Sequence, residues 1–216
     1  MKIKEDIIIL GSGGHAKVII EIIEAFGKYN IIGITDISLF KDQTYRGYPV
    51  LGDDSVLRDY IKKGVKNVGI GIGGFKNNNN RKKFFDKAKK LGFQVPILIH
   101  PNSIISKSAT LGEGCVIFSG VNINTDVKIG VNNIIATGAI IDHETLIGDH
   151  VLISAGVTIG GNVIIEDEVL CALGSNIISG VSIKRKIVVG AGAVVVKDLV
   201  KKGTYIGTPA REMKLI

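Results

Sequence analysis

Asp142-His143-Glu144 is the one place in the chain where an imidazole stands between two carboxylates. A neutral imidazole beside a carboxylate is the equipment of a general base, because the acid orients the ring and raises its basicity. His143 is the candidate base and Glu144 its partner. Gly161, in Gly160-Gly161, follows His143 by eighteen residues. If residues at that interval stack, bare backbone lies over the imidazole and can offer an N–H to a developing oxyanion. A surface histidine beside two acids and a glycine turn are the plainer readings of the same residues. His150 is out of phase with His143 and reads as a surface or packing histidine. A second constellation lies near the N-terminus. Gly11-Ser12-Gly13-Gly14-His15-Ala16 follows the apolar run Ile7–Leu10 and opens a helical pattern. The spacing Gly11-x-Gly13-x-x-Ala16 at a strand-to-helix turn brings backbone N–H groups and a helix N-terminus to a phosphate. Asp36, after the next apolar run, stands where a ribose or base contact is expected. These residues point to a nucleotide without choosing between NAD and a nucleotide sugar.

Two kinds of element must position these groups. Residues 1–98 alternate strands and helices. Strand patterns cover Ile7–Leu10, Ile31–Thr35, Asn67–Ile72 and Phe93–Leu98. Helical patterns cover His15–Phe26, the stretch from Asp53 or Asp54 to Lys63, and Asn80–Leu91. This order predicts a small parallel sheet of the Rossmann type. From Ile99 to Val195 every sixth residue is aliphatic or Cys, the period of a parallel β-helix. Three hexads make one coil, so residues 18 apart stack. No insertion interrupts the hexads, so any site must use the coil surface. The beat stops after Val200. Residues 99–200 are expected to form the β-helix and residues 201–216 a short C-terminal cap or tail.

Composition narrows the function classes. The 216 residues include 27 Lys and Arg against 20 Asp and Glu, a net charge of +7. The positives come in small clusters, among them Arg81-Lys82-Lys83, Lys87 with Lys89 and Lys90, and Lys184-Arg185-Lys186, which read as solvated faces. No nucleic-acid motif accompanies them, whereas nucleotides or coenzyme A suit the charge. No apolar run approaches the ~20 residues of a membrane span, and Ile7–Leu10 is too short for a signal-peptide core. A cytoplasmic protein is expected. Cys115 and Cys171 fall on coil positions and read as packed thiols. The four histidines and two cysteines lack metal-ligand spacing, so no metal is expected.

Together these motifs resemble the PglD/NeuD-type bacterial sugar acyltransferases, which include UDP-4-amino-sugar N-acetyltransferases and sialic acid O-acetyltransferases. The resemblance rests on Gly11-Ser12-Gly13-Gly14-His15-Ala16-Lys17-Val18-Ile19, on Ile99-His100-Pro101 at the join, and on Asp142-His143-Glu144 within hexads. It implies a left-handed coil and a homotrimer with acetyl-CoA between subunits. It implies a nucleotide sugar on the N-terminal domain, contacted by the loop through Gly13, Gly14 and His15 and by Asp36, near Gly73 and Gly74. It assigns catalysis to His143 and Glu144. Gly161, Leu173 and Ala191 would line the acetyl-CoA channel, and Gly207-Thr208-Pro209-Ala210-Arg211 would lie near the nucleotide end of the coenzyme. Many members carry a second histidine nine residues after the base, where this chain has Leu152.

The expected activity is acetyl-CoA-dependent N-acetylation of a UDP-linked 4-amino-4,6-dideoxy sugar, by direct transfer, in the making of cell-surface glycans. O-acetylation of sialic acid or a related sugar is the near alternative. A non-catalytic β-helix scaffold with a nucleotide-binding domain is the alternative of another class. An NAD-dependent oxidoreductase would need a second catalytic domain that the sequence does not supply.

Overall fold

The computed structural model describes residues 4–74 and 78–213. They form two compact units, one ending at Gly74 and resuming over Asn79–Pro101, the other made of Asn78 and the residues from Asn102 onward.

The first unit is an α/β sheet. Its strands are β1 (Glu5–Leu10), β2 (Tyr29–Thr35), β3 (Thr44–Tyr45), β4 (Tyr48–Gly52) and β5 (Asn67–Ile70), with spatial order β3-β4-β2-β1-β5. The β1–β2, β1–β5 and β2–β4 pairs are parallel. Ile7, Ile8, Ile9 and Leu10 are fully buried, as befits a central strand covered on both faces. Helix α1 (Gly14–Phe26) buries Ala16, Ile19, Ile20, Ile22 and Ile23, and Gly27 ends it in the left-handed conformation. A 3-10 turn at Asp54–Val56, capped by Asp53, leads into α2 (Leu57–Lys62). Helix α3 spans Asn79–Leu91. Because β2 and β5 flank β1 on opposite sides, the chain changes direction across the sheet at β1. The loop after β1 therefore opens at the switch point where such sheets bind ligands.

Three details depart from the sequence reading. The β3–β4 hairpin turns on Arg46-Gly47, with φ of 50° and 84°, in a two-residue connection too short to leave a hydrophobic period. Phe93–Leu98 does not form a strand. Gln94 makes a single bridge to Asn67 and only Leu98–Ile99 is extended, since Pro96 has no N–H for a ladder. Arg81 does not belong to a solvated face. It is completely buried.

The hexads form a left-handed parallel β-helix. Two-residue strands recur from Ile104–Ile105 to Val194–Val195. They pair in parallel with residues 18 apart in register, as in the column Ile105, Ile123, Ile141, Ile159, Ile177 and Val195. Every coil turns three corners. One edge uses glycine, at Gly120, Gly138, Gly156, Gly174 and Gly192. The other two use mostly polar residues with φ near 60°, Asp126, Glu144 and Asn162 before Gly180 on one, and Asn132, His150, Glu168 and Lys186 after Gly114 on the other. After Val195 the period shortens by two residues. Leu199 bridges Ile183, and Thr204–Tyr205 pair with Val188–Val189. The coil therefore continues to Ile206 rather than ending near Val200. Arg211–Glu212 then folds back antiparallel to that strand.

The prism interior is largely apolar, and two of its polar side chains, Asn133 and Thr145, serve backbone groups. Asn133 is fully buried. It donates to the carbonyls of Gly130 and Gly148, both at 2.9 Å, and accepts from the Val151 N–H. Asn133→Val should cost about 3 kcal/mol or more, because the Gly148 carbonyl and the Val151 N–H lose their side-chain partner and the Gly130 carbonyl keeps only the weak Cys115 Sγ–H donor. Urea denaturation monitored by circular dichroism measures the loss.

Candidate active site

His143 and Glu144 occupy one corner of the prism, and the corner's geometry brings them together. Glu144 takes the left-handed turn position, with φ of 58°, and its side chain curls back to the preceding imidazole. Glu144 Oε2 lies 3.1 Å from His143 Nδ1. A carboxylate only accepts, so Nδ1 carries a proton, and in the neutral ring the lone pair a base requires lies on Nε2. Both side chains are about half exposed or more, at 49% and 65%. The backbone beneath them is clamped by the coils on either side. The Glu144 N–H donates to Thr125 O and the Asn162 N–H to His143 O. Asp142 Oδ1 accepts from the His143 N–H at 2.8 Å and from Asn124 Nδ2 at 2.9 Å. The His143 N–H, aided by Asn124, holds the Asp142 carboxyl below the usual range despite slight desolvation.

Gly161 stacks on His143 as the period of 18 requires. A Cβ on Gly161 would lie 2.6 Å from both Cε1 and Nε2 of the imidazole. The missing side chain is thus the space the ring occupies. Among the described residues nothing accepts from the Gly161 N–H, and Gly161 itself is buried.

The other coil residues are distributed differently. Leu173 and Ala191 stack with each other, through the Gly192 N–H to Leu173 O bond, on the glycine edge rather than on the His143 edge. Leu173 is 61% exposed. Pro209 and Arg211 are exposed, whereas Ala210 is buried and its N–H donates to Val194 O. Leu152 packs between Ile134 and Leu170 in an apolar stripe, which leaves no polar group at that position. His150 is nearly buried at a corner of another edge, with Nδ1 3.0 Å from Asn132 Nδ2. It is a packing histidine.

In the first unit, the loop after β1 is tied to Asp36. Asp36 Oδ2 accepts from the Ser12 N–H and hydroxyl, both at 2.7 Å, and Oδ1 accepts from the Ser38 N–H and hydroxyl at 2.8 and 2.6 Å. Partial burial pushes this carboxyl upward, but the hydrogen bonds from Ser38 and Ser12 outweigh it and bring it down to about 2. Gly13 and Gly14 expose bare backbone, with nothing within 4 Å of where a Cβ would stand. His15 lies in the first turn of α1 and packs on Gly73, where a Cβ would come within 3.0 Å of its own Cβ. Gly74 is half-buried just beyond.

Gly11 and Asp36 line a cavity of about 840 Å³ within this unit. The sequence reading gave no site role to the residues that complete it, chiefly Thr35, Asp54, Arg58, Phe84 and Lys87. Asp54 joins two of them, accepting from the Thr35 hydroxyl at 2.6 Å and from Lys87 Nζ at 2.9 Å. The basic run around Lys87 was the available signal. It mixes cavity-facing and solvated lysines, which sequence spacing does not separate. Among the described residues no cluster of three or more His, Cys, Asp or Glu is placed to hold a metal.

Asp36 yields a pH test. Its folded-state pKa is depressed, so its contribution to stability is complete above about pH 4 and is lost as the pH falls toward 2. Asp36→Asn should be less stable than wild type by about 1–2 kcal/mol at neutral pH, the worth of hydrogen bonds to a charged acceptor. The gap should shrink on acidification below pH 4, read by denaturation of both proteins across that range.

Comparison with known proteins agrees with both halves. The PglD N-terminal domain family matches residues 6–88. The GDP-perosamine N-acetyl transferase of Caulobacter crescentus, solved as a histidine-to-alanine variant with CoA and GDP-perosamine, is 34% identical over 97% of each chain, with a TM-score of 0.88. The acetyltransferase domain of PglB from Neisseria gonorrhoeae is 29% identical over 97% of this chain and 100% of that one, with a TM-score of 0.89. A UDP-N-acetylbacillosamine N-acetyltransferase of Bacillus subtilis (strain 168) is 34% identical over 123 residues, 53% of this chain and 52% of that protein. That match spans about half the length of the curated relative. With one third of its residues identical to a solved acetyltransferase across nearly its whole length, the chain belongs to the PglD-type family of sugar acetyltransferases.

Proposed function

We propose that the chain transfers the acetyl group of acetyl-CoA to the amino group of a nucleotide-linked amino sugar. The observation that carries this reading is the His143 corner: an imidazole with Nδ1 toward Glu144, Nε2 available and the side-chain-free Gly161 against it. In the proposed reaction the sugar amine attacks the thioester carbonyl and His143 Nε2 takes a proton from the amine. Glu144 stabilises the imidazolium. The Gly161 N–H donates to the oxyanion of the tetrahedral intermediate. The C–S bond then breaks, the thiolate of coenzyme A takes the proton, and the amide remains. Holding both substrates on one protein supplies much of the acceleration.

The first unit binds the nucleotide part, through the Gly11–His15 loop, Asp36 and the cavity they share with Arg58, Phe84 and Lys87. The coenzyme is assigned to Gly161, Leu173, Ala191 and the segment Pro209, Ala210 and Arg211. Because Leu173 and Ala191 lie on a different edge from His143, two copies must supply one complete coenzyme site. The exposed Leu146 and Ile164 on an outer face of the coil support the same assembly, a homotrimer. A UDP-linked 4-amino-4,6-dideoxy sugar is the proposed acceptor. The Bacillus relative is named for a UDP-linked amino sugar and the Caulobacter relative for a GDP-linked one, so both nucleotides belong in the assay.

Thiol release from acetyl-CoA, measured against a panel of nucleotide amino sugars, tests the activity. An amino sugar that gives release above background, with a product stable to neutral hydroxylamine, supports N-acetylation. A hydroxylamine-labile product would make it an O-acetyltransferase, and no release with any sugar would return the chain to the scaffold reading. His143→Ala should lower kcat/KM by about 10²–10⁴-fold, the usual worth of a general base. Gly161→Ala is a sharper probe. Its backbone is not left-handed and the added methyl meets only the far end of an exposed side chain. The melting temperature should therefore move by no more than about 2 °C, while kcat falls at least about tenfold as the ring is displaced.

A further inference from the structure

Arg81 stands in a run of basic residues, yet its side chain has no exposure at all. A guanidinium removed from water must be met by acceptors. Arg81 Nη1 donates to Ile70 O at 2.8 Å, at the end of β5, and to Ile72 O at 3.1 Å, one residue before Gly73. The same nitrogen lies 3.2 Å from His15 Nε2. A guanidinium has donors only and keeps its charge. The contact therefore requires the lone pair of His15 on Nε2 and places the ring's single proton on Nδ1. Burial, with the Arg81 charge second, holds His15 well below the usual imidazole range, so the ring is neutral at physiological pH. Nδ1 is the ring nitrogen toward Gly73, where a Cβ would come within 3.9 Å of it.

We propose that Arg81 is a positioning residue: it holds His15 as the neutral Nδ1–H tautomer, so that the glycine loop presents a hydrogen-bond donor to an acceptor oxygen of the nucleotide sugar. The proposal rests on the reading of that loop as a nucleotide-sugar site. Arg81 acts through His15 and touches no substrate. A single nitrogen, Arg81 Nη1, ties α3, the end of β5 and the first turn of α1 together. Lysine keeps the charge, but its Nζ reaches only to the place of the Arg81 Cζ, one bond short of the nitrogen that makes these contacts.

Two measurements on the full-length protein test it. Histidine-labelled ¹⁵N spectra of the wild type, with only four histidines to assign and His15→Ala to identify the signal, should show His15 protonated on Nδ1 and bare on Nε2 at pH 7. A proton on Nε2, or on both nitrogens, overturns the proposal. In the kinetic arm, Arg81→Lys should raise KM for the nucleotide sugar about tenfold, with KM for acetyl-CoA and kcat within about twofold. Made in the His15→Ala background, the same substitution should add nothing. Unchanged KM, or effects that multiply, overturns the proposal. Should Arg81→Lys fail to fold, calorimetric titration of UDP into wild type and His15→Ala takes its place, and equal affinities overturn it. Absence of acetyl transfer with every sugar, together with the expected tautomer and the expected loss of UDP affinity, would remove the enzymatic reading and leave the Arg81–His15 pair standing.

Discussion

The need to turn three corners in every eighteen residues governs the coil and, through it, the chemistry. Each corner demands a residue with positive φ, a conformation that costs most side chains about 1 kcal/mol or more and glycine almost nothing. One edge meets that demand with glycines. The edge that carries Glu144 meets it with Asp126, Glu144 and Asn162, and with glycine only at Gly180. The left-handed backbone at Glu144 is what lets adjacent residues face each other, since neighbours in extended chain project to opposite sides. A constraint imposed by folding thus supplies the acid–imidazole contact. The parallel ladder adds the second element by setting Gly161 against the ring.

The first unit is organised around two polar groups that hold the loop after β1. Asp36 ties that loop from the β2 side through Ser12, and Arg81 ties it from the β5 side through His15. Both flank the point where the chain reverses across the sheet. The result is a glycine loop whose small residues stay bare while its ends are fixed. This is the arrangement needed to approach a phosphate closely without losing definition.

Much of this was legible in the residues. The hexad announces the coil and its phase, and the phase alone puts Gly161 over His143. The strand and helix alternation up to Leu91 carried the sheet. What stayed hidden shares a physical cause: it depends on partners far apart in sequence or on elements too short to show a period. The hairpin at Arg46-Gly47 has a two-residue strand on one side. The two-residue slip after Val195 removed the beat without ending the ladder, because backbone hydrogen bonds tolerate a shortened corner that side-chain periodicity does not record. Arg81 looked like one more solvated cation because its acceptors are main-chain carbonyls, which carry no signature in a sequence. Asp36 was expected to face a ligand, and its four hydrogen bonds to Ser12 and Ser38 come from groups whose proximity only the fold creates.

The ladder also sets a length standard. Successive coils lie about 4.8 Å apart, so the rise from the His143 strand to the terminal strand Thr204–Ile206 is roughly 18 Å. That distance is counted in whole turns of chain, and it changes only in steps of one coil. A relative with one turn more or fewer between these points would hold the two ends of an elongated ligand a full step farther apart or closer together, with every corner and every inward side chain preserved. Divergence in the size of the ligand is therefore open to such a fold by duplication or deletion of eighteen residues, a change that leaves the local structure of each remaining turn as it was.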